Sequence, residues 1–93
     1  YPSVRRDLAF LVDRELPFRM LEQAIKAAAG PDLSQLILFD LYQGKGIDPK
    51  RKSMALGLIF QSQSHTLGEA EIQSSLDAVI RALEQRFQAE MRR

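Results

Sequence analysis

The stretch LILFDLYQGKGIDPKRKSMALGLIFQ, residues 36–61, contains two alternating runs on either side of a loop rich in glycine and charge. The first run predicts a strand over roughly Leu33 to Gln43. Its residues Ile37, Phe39 and Leu41 alternate as a core-facing set, which leaves Asp40 and Tyr42 side by side on the opposite face. The loop GKGIDPKR follows, and its Gly44-Lys45-Gly46 start reads as a hairpin turn. Alternation returns from Lys52 to Gln61. Met54, Leu56, Leu58 and Phe60 are large and apolar, whereas Ser53, Ala55 and Gly57 are small and share the other face. Two paired strands with one apolar face and one shallow face are expected. The shallow face leaves room for something flat.

The flanking sequence extends this pattern. From Val4 to Asp13, Leu8, Phe10 and Val12 point one way, and Arg5, Asp7, Ala9 and Leu11 the other, as in a half-buried strand. Pro17 suits the first turn of a helix. Leu21, Ala24, Ile25 and Ala28 form an apolar stripe at helical spacing, and Gly30-Pro31 ends it. Thr66-Leu67-Gly68-Glu69 has the spacing of a capping box. The stripe of Ile72, Leu76, Val79, Ile80, Leu83 and Phe87 predicts the helix behind it. Gln88–Arg93 is short and suits a closing edge strand. The resulting order β-α-β-β-α-β is that of a ferredoxin-like α+β fold, a four-stranded antiparallel sheet with two helices on one face. RNA-recognition motifs share this layout, although a fold does not assign a function.

Composition limits the possibilities. A chain of 93 residues supports one core and one domain, residues 1–93. It has 45% hydrophobic and 27% charged residues, as an ordinary globular domain does. No apolar run is long enough for a membrane span, and no secretory signal is present. There is no cysteine, so disulfides and thiolate metal sites are excluded. The net charge is +1, so contact with nucleic acid would be local rather than a whole-surface attraction. A start at Tyr1-Pro2 leads us to expect a segment cut from a longer protein.

Catalysis finds no support in these residues. His65 is the only histidine and sits in a turn beside a helix cap, where it reads as a solvated loop residue. No zinc or calcium motif occurs. Gly44-Lys45-Gly46 lacks the spacing of a phosphate loop. Asp7 and Asp40 have no nucleophile or oxyanion hole nearby. The open face has clearer chemistry. Tyr42 offers a ring, Asp40 an acceptor-only carboxylate and Ser53 a hydroxyl. Unpaired RNA bases are held by stacking on aromatics and bonding at their edges. Guanine presents two donors, N1–H and the N2 amino group, on one edge and so suits a carboxylate. Lys45, Lys50, Arg51 and Lys52 lie in or beside the loop as possible phosphate contacts, and Arg5-Arg6 and Arg92-Arg93 form another basic pole. The alternative is that Asp40 pairs with a lysine and Tyr42 packs on a neighbouring domain. The chain would then be a ferredoxin-like regulatory or docking module without an RNA ligand.

Four motifs resemble one family. YPSVRRDLAFLV is similar to its proline-x-x-arginine-arginine-aspartate-leucine-alanine start. LFDLYQG followed by KSMALGLIFQS resembles its central strand pair, HTLGEAEI its arginine-threonine-leucine helix entry, and FQAEMR its closing glycine-alanine-x-leucine-arginine strand. This is the ferredoxin-fold anticodon-binding domain at the C-terminus of bacterial phenylalanyl-tRNA synthetase beta subunits. Organellar enzymes carry a similar domain on a single chain, and the bacterial subunit matches better. The resemblance implies that Tyr42 stacks on the first anticodon base of phenylalanine tRNA, a guanosine. It further implies that Asp40 and Ser53 hydrogen-bond that base and that Ala9 lines the spot. It implies a cytoplasmic parent enzyme of two alpha and two beta subunits, which uses ATP and magnesium at a catalytic site on another chain. No cofactor is expected in this domain. His65 replaces the usual arginine of the helix entry, and Gln88 and Met91 the usual glycine and leucine of the last strand.

Overall fold

The computed structural model describes residues 1–92; Arg93, the last residue of the expected tail strand and basic pole, lies outside them. Strand β1 (Val4–Asp13) leads into helix α1 (Phe18–Ala29), followed by strands β2 (Leu33–Tyr42) and β3 (Arg51–Phe60), helix α2 (Glu69–Phe87) and a short strand β4 (Glu90–Arg92). The four strands form one antiparallel sheet in the order β2-β3-β1-β4. This is the ferredoxin-like arrangement that the sequence pattern predicts. β1 and β3 lie at the centre, so their alternating apolar residues meet the helices directly.

The core shows the consequence. Phe10, Val12, Met54, Leu56, Leu58 and Phe60 are almost completely buried on the helix side of β1 and β3. They meet Leu21, Ala24, Ile25 and Ala29 of α1 and Ile72, Leu76, Val79 and Leu83 of α2. Both helix stripes recur at three- and four-residue intervals, as one buried face requires. Gly30 ends α1 at a φ of +83°, which disfavours other residues, and its N–H donates to the Lys26 carbonyl.

β2 departs from the expected alternation. It is an edge strand and contributes only the partly buried Leu33 and Leu36 to the core. Two register shifts interrupt its pairing with β3, between Leu33 and Gln35 and between Leu38 and Asp40. Leu38 pairs with Leu56 on the helix side and Asp40 with Ala55 on the open side, so Phe39 is an extra residue in a β-bulge. Ile37, Phe39 and Leu41 therefore do not form one buried face. Ile37 pairs with Gly57 on the open side, and Leu41 pairs with Met54 on the helix side but is 49% exposed. Phe39 is 50% exposed and lies under the Arg5 guanidinium, 5.1 Å from its ring centre. Strict alternation missed this because a bulge changes the parity of every residue after it.

The entry to α2 also differs from the expected box. Gly68, not Thr66, is the cap residue, and the Glu71 carboxylate accepts from the Gly68 N–H at 3.2 Å. Glu69 instead receives two hydrogen bonds from Arg6, at 2.7 and 2.9 Å. That pair joins the helix side of β1 to the first turn of α2, where a carboxylate also favours the helix dipole. His65 is more constrained than a solvated loop residue. Its Nε2 lies 2.8 Å from Glu71 Oε2, and its Nδ1 lies 2.9 Å from Ser64 Oγ. The hydrogen bond and charge of Glu71 raise the His65 pKa, and the same hydrogen bond holds Glu71 below its ordinary value.

Two predictions follow from this architecture. Phe60→Ala should lower stability by about 3–5 kcal/mol in urea unfolding, as a lost core ring does. Phe39→Ala should cost less than about 1 kcal/mol, because the ring is half in water; equal losses would return Phe39 to the core. The His65–Glu71 pair should also make stability pH-dependent. The raised His65 pKa contributes stability that is complete below its ordinary 6.5 and is lost as pH rises through the higher folded value. The depressed Glu71 contributes above its ordinary 4.5 and loses that contribution as pH falls through its lower folded value. The Tm deficit of His65→Gln should therefore be greatest between those two ordinary values and shrink by pH 8. A deficit that does not change with pH would show that the pair does not titrate with folding.

Candidate nucleic-acid interface

The open side of the sheet is built from residues in cross-strand register. Antiparallel partners share a face, so the pairing states which side chains are neighbours. One row runs from Asp40 on β2 through Ala55 on β3 and Ala9 on β1 to Arg92 on β4. The next row holds Tyr42, Ser53, Leu11 and Glu90. Asp40, Tyr42, Ser53 and Ala9, the four residues singled out from the sequence, thus occupy two adjacent rows on one face. Two alanines lie between Asp40 at one end of the row and the Arg92 backbone at the other.

Each side chain has a definite state. The Asp40 carboxylate is exposed and makes no ion pair among the described residues. Tyr42 is 43% exposed, and its O–H donates to the Lys45 carbonyl at 2.7 Å. The ring is therefore tied to the loop while keeping accessible surface. The loop closes on itself through the Ile47 N–H to the Gly44 carbonyl and the Arg51 N–H to the Asp48 carbonyl. Ser53 is only 7% exposed although it lies on the open face. Its Oγ accepts a 2.8 Å hydrogen bond from Arg92 Nη1. Arg92 thus crosses β1 diagonally, from the row of Ala9 to the row of Leu11, to reach β3.

A second guanidinium crosses nearby. Arg5 donates from Nε to Asp7 Oδ1 at 2.8 Å and lies over Gly57. A Cβ at position 57 would sit 2.7 Å from the guanidinium, so glycine provides the space for it. Arg5 then reaches Phe39. Arg6 faces the other way and pairs with Glu69, so Arg5 and Arg6 do not form one basic pole.

The four basic residues proposed as phosphate contacts separate. Lys45 and Lys50 are exposed in the loop. Arg51 is part-buried and bonds the carbonyls of Leu11 and Gln88. Lys52 is on the helix side, 8% exposed, with its ammonium on the Leu16 carbonyl. It is an internal tie and is not available to a phosphate. Its parity in the Lys52–Gln61 alternation, on the side of Met54, already indicated this. The sequence reading placed Arg92 only in a remote basic pole. The informative signal was Met91, whose apolar side chain between Glu90 and Arg92 puts those two on the open face.

Comparison with known proteins shows the family. Residues 1–92 match the model of the ferredoxin-fold anticodon binding domain family. The chain belongs to that family. It is 47% identical over 93 residues to the phenylalanine–tRNA ligase beta subunit of Pseudomonas fluorescens, with all of this chain and 12% of that protein covered. The beta subunit of Coxiella burnetii is 44% identical over 93 residues, covering 99% of this chain and 12% of the relative. That of Acinetobacter baylyi is 40% identical over 92 residues, with the same two shares. The chain therefore spans about an eighth of the length of these relatives. Among the described residues, no group of His, Cys, Asp and Glu is placed to hold a metal ion, and no helix is long and apolar enough to cross a membrane.

The tie between Tyr42 and the loop can be tested alone. Tyr42→Phe keeps the ring and removes one partly solvated hydrogen bond, so stability should fall by no more than about 0.5–1.5 kcal/mol. Hydrogen–deuterium exchange of the loop amides, Ile47 above all, should accelerate. Unchanged exchange would show that the hydroxyl does not hold the loop.

Proposed function

We propose that this chain reads the anticodon of phenylalanine tRNA as the C-terminal module of a phenylalanine–tRNA ligase beta subunit. Tyr42 stacks on the first anticodon base, a guanosine. Asp40 accepts from its N1–H and N2 amino group, and Ser53 and Ala9 complete the spot. The observation that supports this most strongly is the placement of Asp40 and Tyr42 on the open face, both exposed, beside the floor of Ala9 and Ala55. An ionised carboxylate accepts from guanine but would repel the N1 acceptor of adenine. Lys45 and Lys50 are positioned to approach the RNA backbone and would add salt-dependent affinity without sequence preference.

In this reading the parent enzyme is a cytoplasmic assembly of two alpha and two beta subunits. Its ATP- and magnesium-dependent joining of phenylalanine to tRNA takes place on another chain. The module binds and orients the tRNA, and no proton or group transfer passes through its residues.

The test is phenylalanine charging by the parent enzyme. Tyr42→Ala should lower kcat/KM for phenylalanine tRNA by about 1–3 kcal/mol, the value of one lost stack. Asp40→Ala should relax the preference for guanosine over adenosine at the first anticodon position. Wild-type efficiency in both variants would remove the site. The competing docking module without RNA predicts that guanosine-first and adenosine-first stem–loops give identical responses when titrated against the chain.

A further inference from the structure

We infer that Arg92 is a specificity-determining residue of this site, donating to the acceptor edge of the guanine whose donor edge faces Asp40, with Ser53 as its anchor. This inference rests on the base-reading role proposed above and adds a residue and a contact to it.

The register supplies the first argument. Asp40 and Arg92 end one cross-strand row, with Ala55 and Ala9 between them. Their backbones are three strand spacings apart, about 14 Å. The Arg92 side chain shortens this gap because it extends two strands inward to Ser53. The guanidinium therefore lies one strand from Asp40 and Tyr42, at the edge of the alanine floor.

Hydrogen-bond accounting supplies the second. A guanidinium only donates, so the Ser53 oxygen is the acceptor in this bond. Ser53 is 7% exposed, whereas Arg92 is exposed. Arg92 carries five N–H donors, and its bond to Ser53 uses one. Its remaining donors, rather than the covered hydroxyl, are the polar groups most accessible to a base on Tyr42. Guanine carries acceptors at O6 and N7 next to its N1–H and N2 donors, and an arginine fork matches O6 and N7. A carboxylate on one side and a guanidinium on the other complement both edges. Adenine has a donor at its 6-amino group where guanine has O6, so it meets repulsion from both the carboxylate and the guanidinium.

A latch holding β4 to the sheet, or a plain phosphate contact, is the competing role for Arg92. Phenylalanine charging by the parent enzyme separates them, using tRNAs with guanosine, 6-thioguanosine or adenosine at the first anticodon position. Thio substitution weakens the O6 acceptor and leaves the N1 and N2 donors. Wild type should lose kcat/KM on 6-thioguanosine. Arg92→Ala should lose roughly tenfold or more on guanosine, on the scale of one guanidinium–guanine pair, and should lose little more on 6-thioguanosine. The inference is overturned if Arg92→Ala discriminates guanosine from 6-thioguanosine as wild type does, or weakens all three tRNAs alike. Failure of the underlying base reading has a separate signature: the wild type would charge guanosine and adenosine tRNAs equally.

Discussion

A single extra residue, Phe39, sets the outward chemistry of β2. Before the bulge, Leu36 and Leu38 face the helices and Ile37 faces out. Uninterrupted alternation would then turn Asp40 and Tyr42 to the helix side, opposite Met54 and Lys52. The bulge reverses the parity, so Asp40 and Tyr42 emerge beside Ala55 and Ser53. The candidate site therefore depends on this irregularity.

Small residues form the second constraint. The middle of the open face carries Ala9, Ala55 and Gly57 on the two central strands. Two arginines lie across the sheet, Arg5 over Gly57 toward Phe39 and Arg92 from β4 to Ser53 on β3. Guanidinium planes on a flat floor offer both hydrogen bonds and stacking surfaces to unpaired bases. On the reverse side, the same two strands carry phenylalanines, leucines and a methionine that fill the core. β1 and β3 thus combine a bulky face that stabilises the domain with a shallow face left open.

The balance of charge fits a local contact. The net charge is only +1, and several cations are already committed inside the domain: Arg6 to Glu69, Arg51 to two carbonyls and Lys52 to Leu16. The cations facing the open side or its loop are few. In the proposed reading, affinity would then come from a small number of stacked and edge-bonded bases.

The sequence by itself determined the element order, the central strand faces and the helix stripes, because each follows from a local period of two or 3.6 residues. Leu8, Phe10 and Val12, or Ile72, Leu76 and Val79, could be assigned without knowing their partners. It also named Asp40, Tyr42, Ser53 and Ala9, through their chemistry and through a family resemblance. The tertiary structure decided what depends on pairing between strands far apart in the chain. Only the register with β3 exposes the bulge that brings Asp40 and Tyr42 to the open side. Only the place of β2 at the sheet edge explains why Leu41 is half exposed. Only the neighbouring of β4, β1 and β3 brings Arg92 to Ser53, 39 residues earlier in the chain. Hydrophobic periodicity has no means of encoding those distances, because register is a property of two strands and periodicity a property of one.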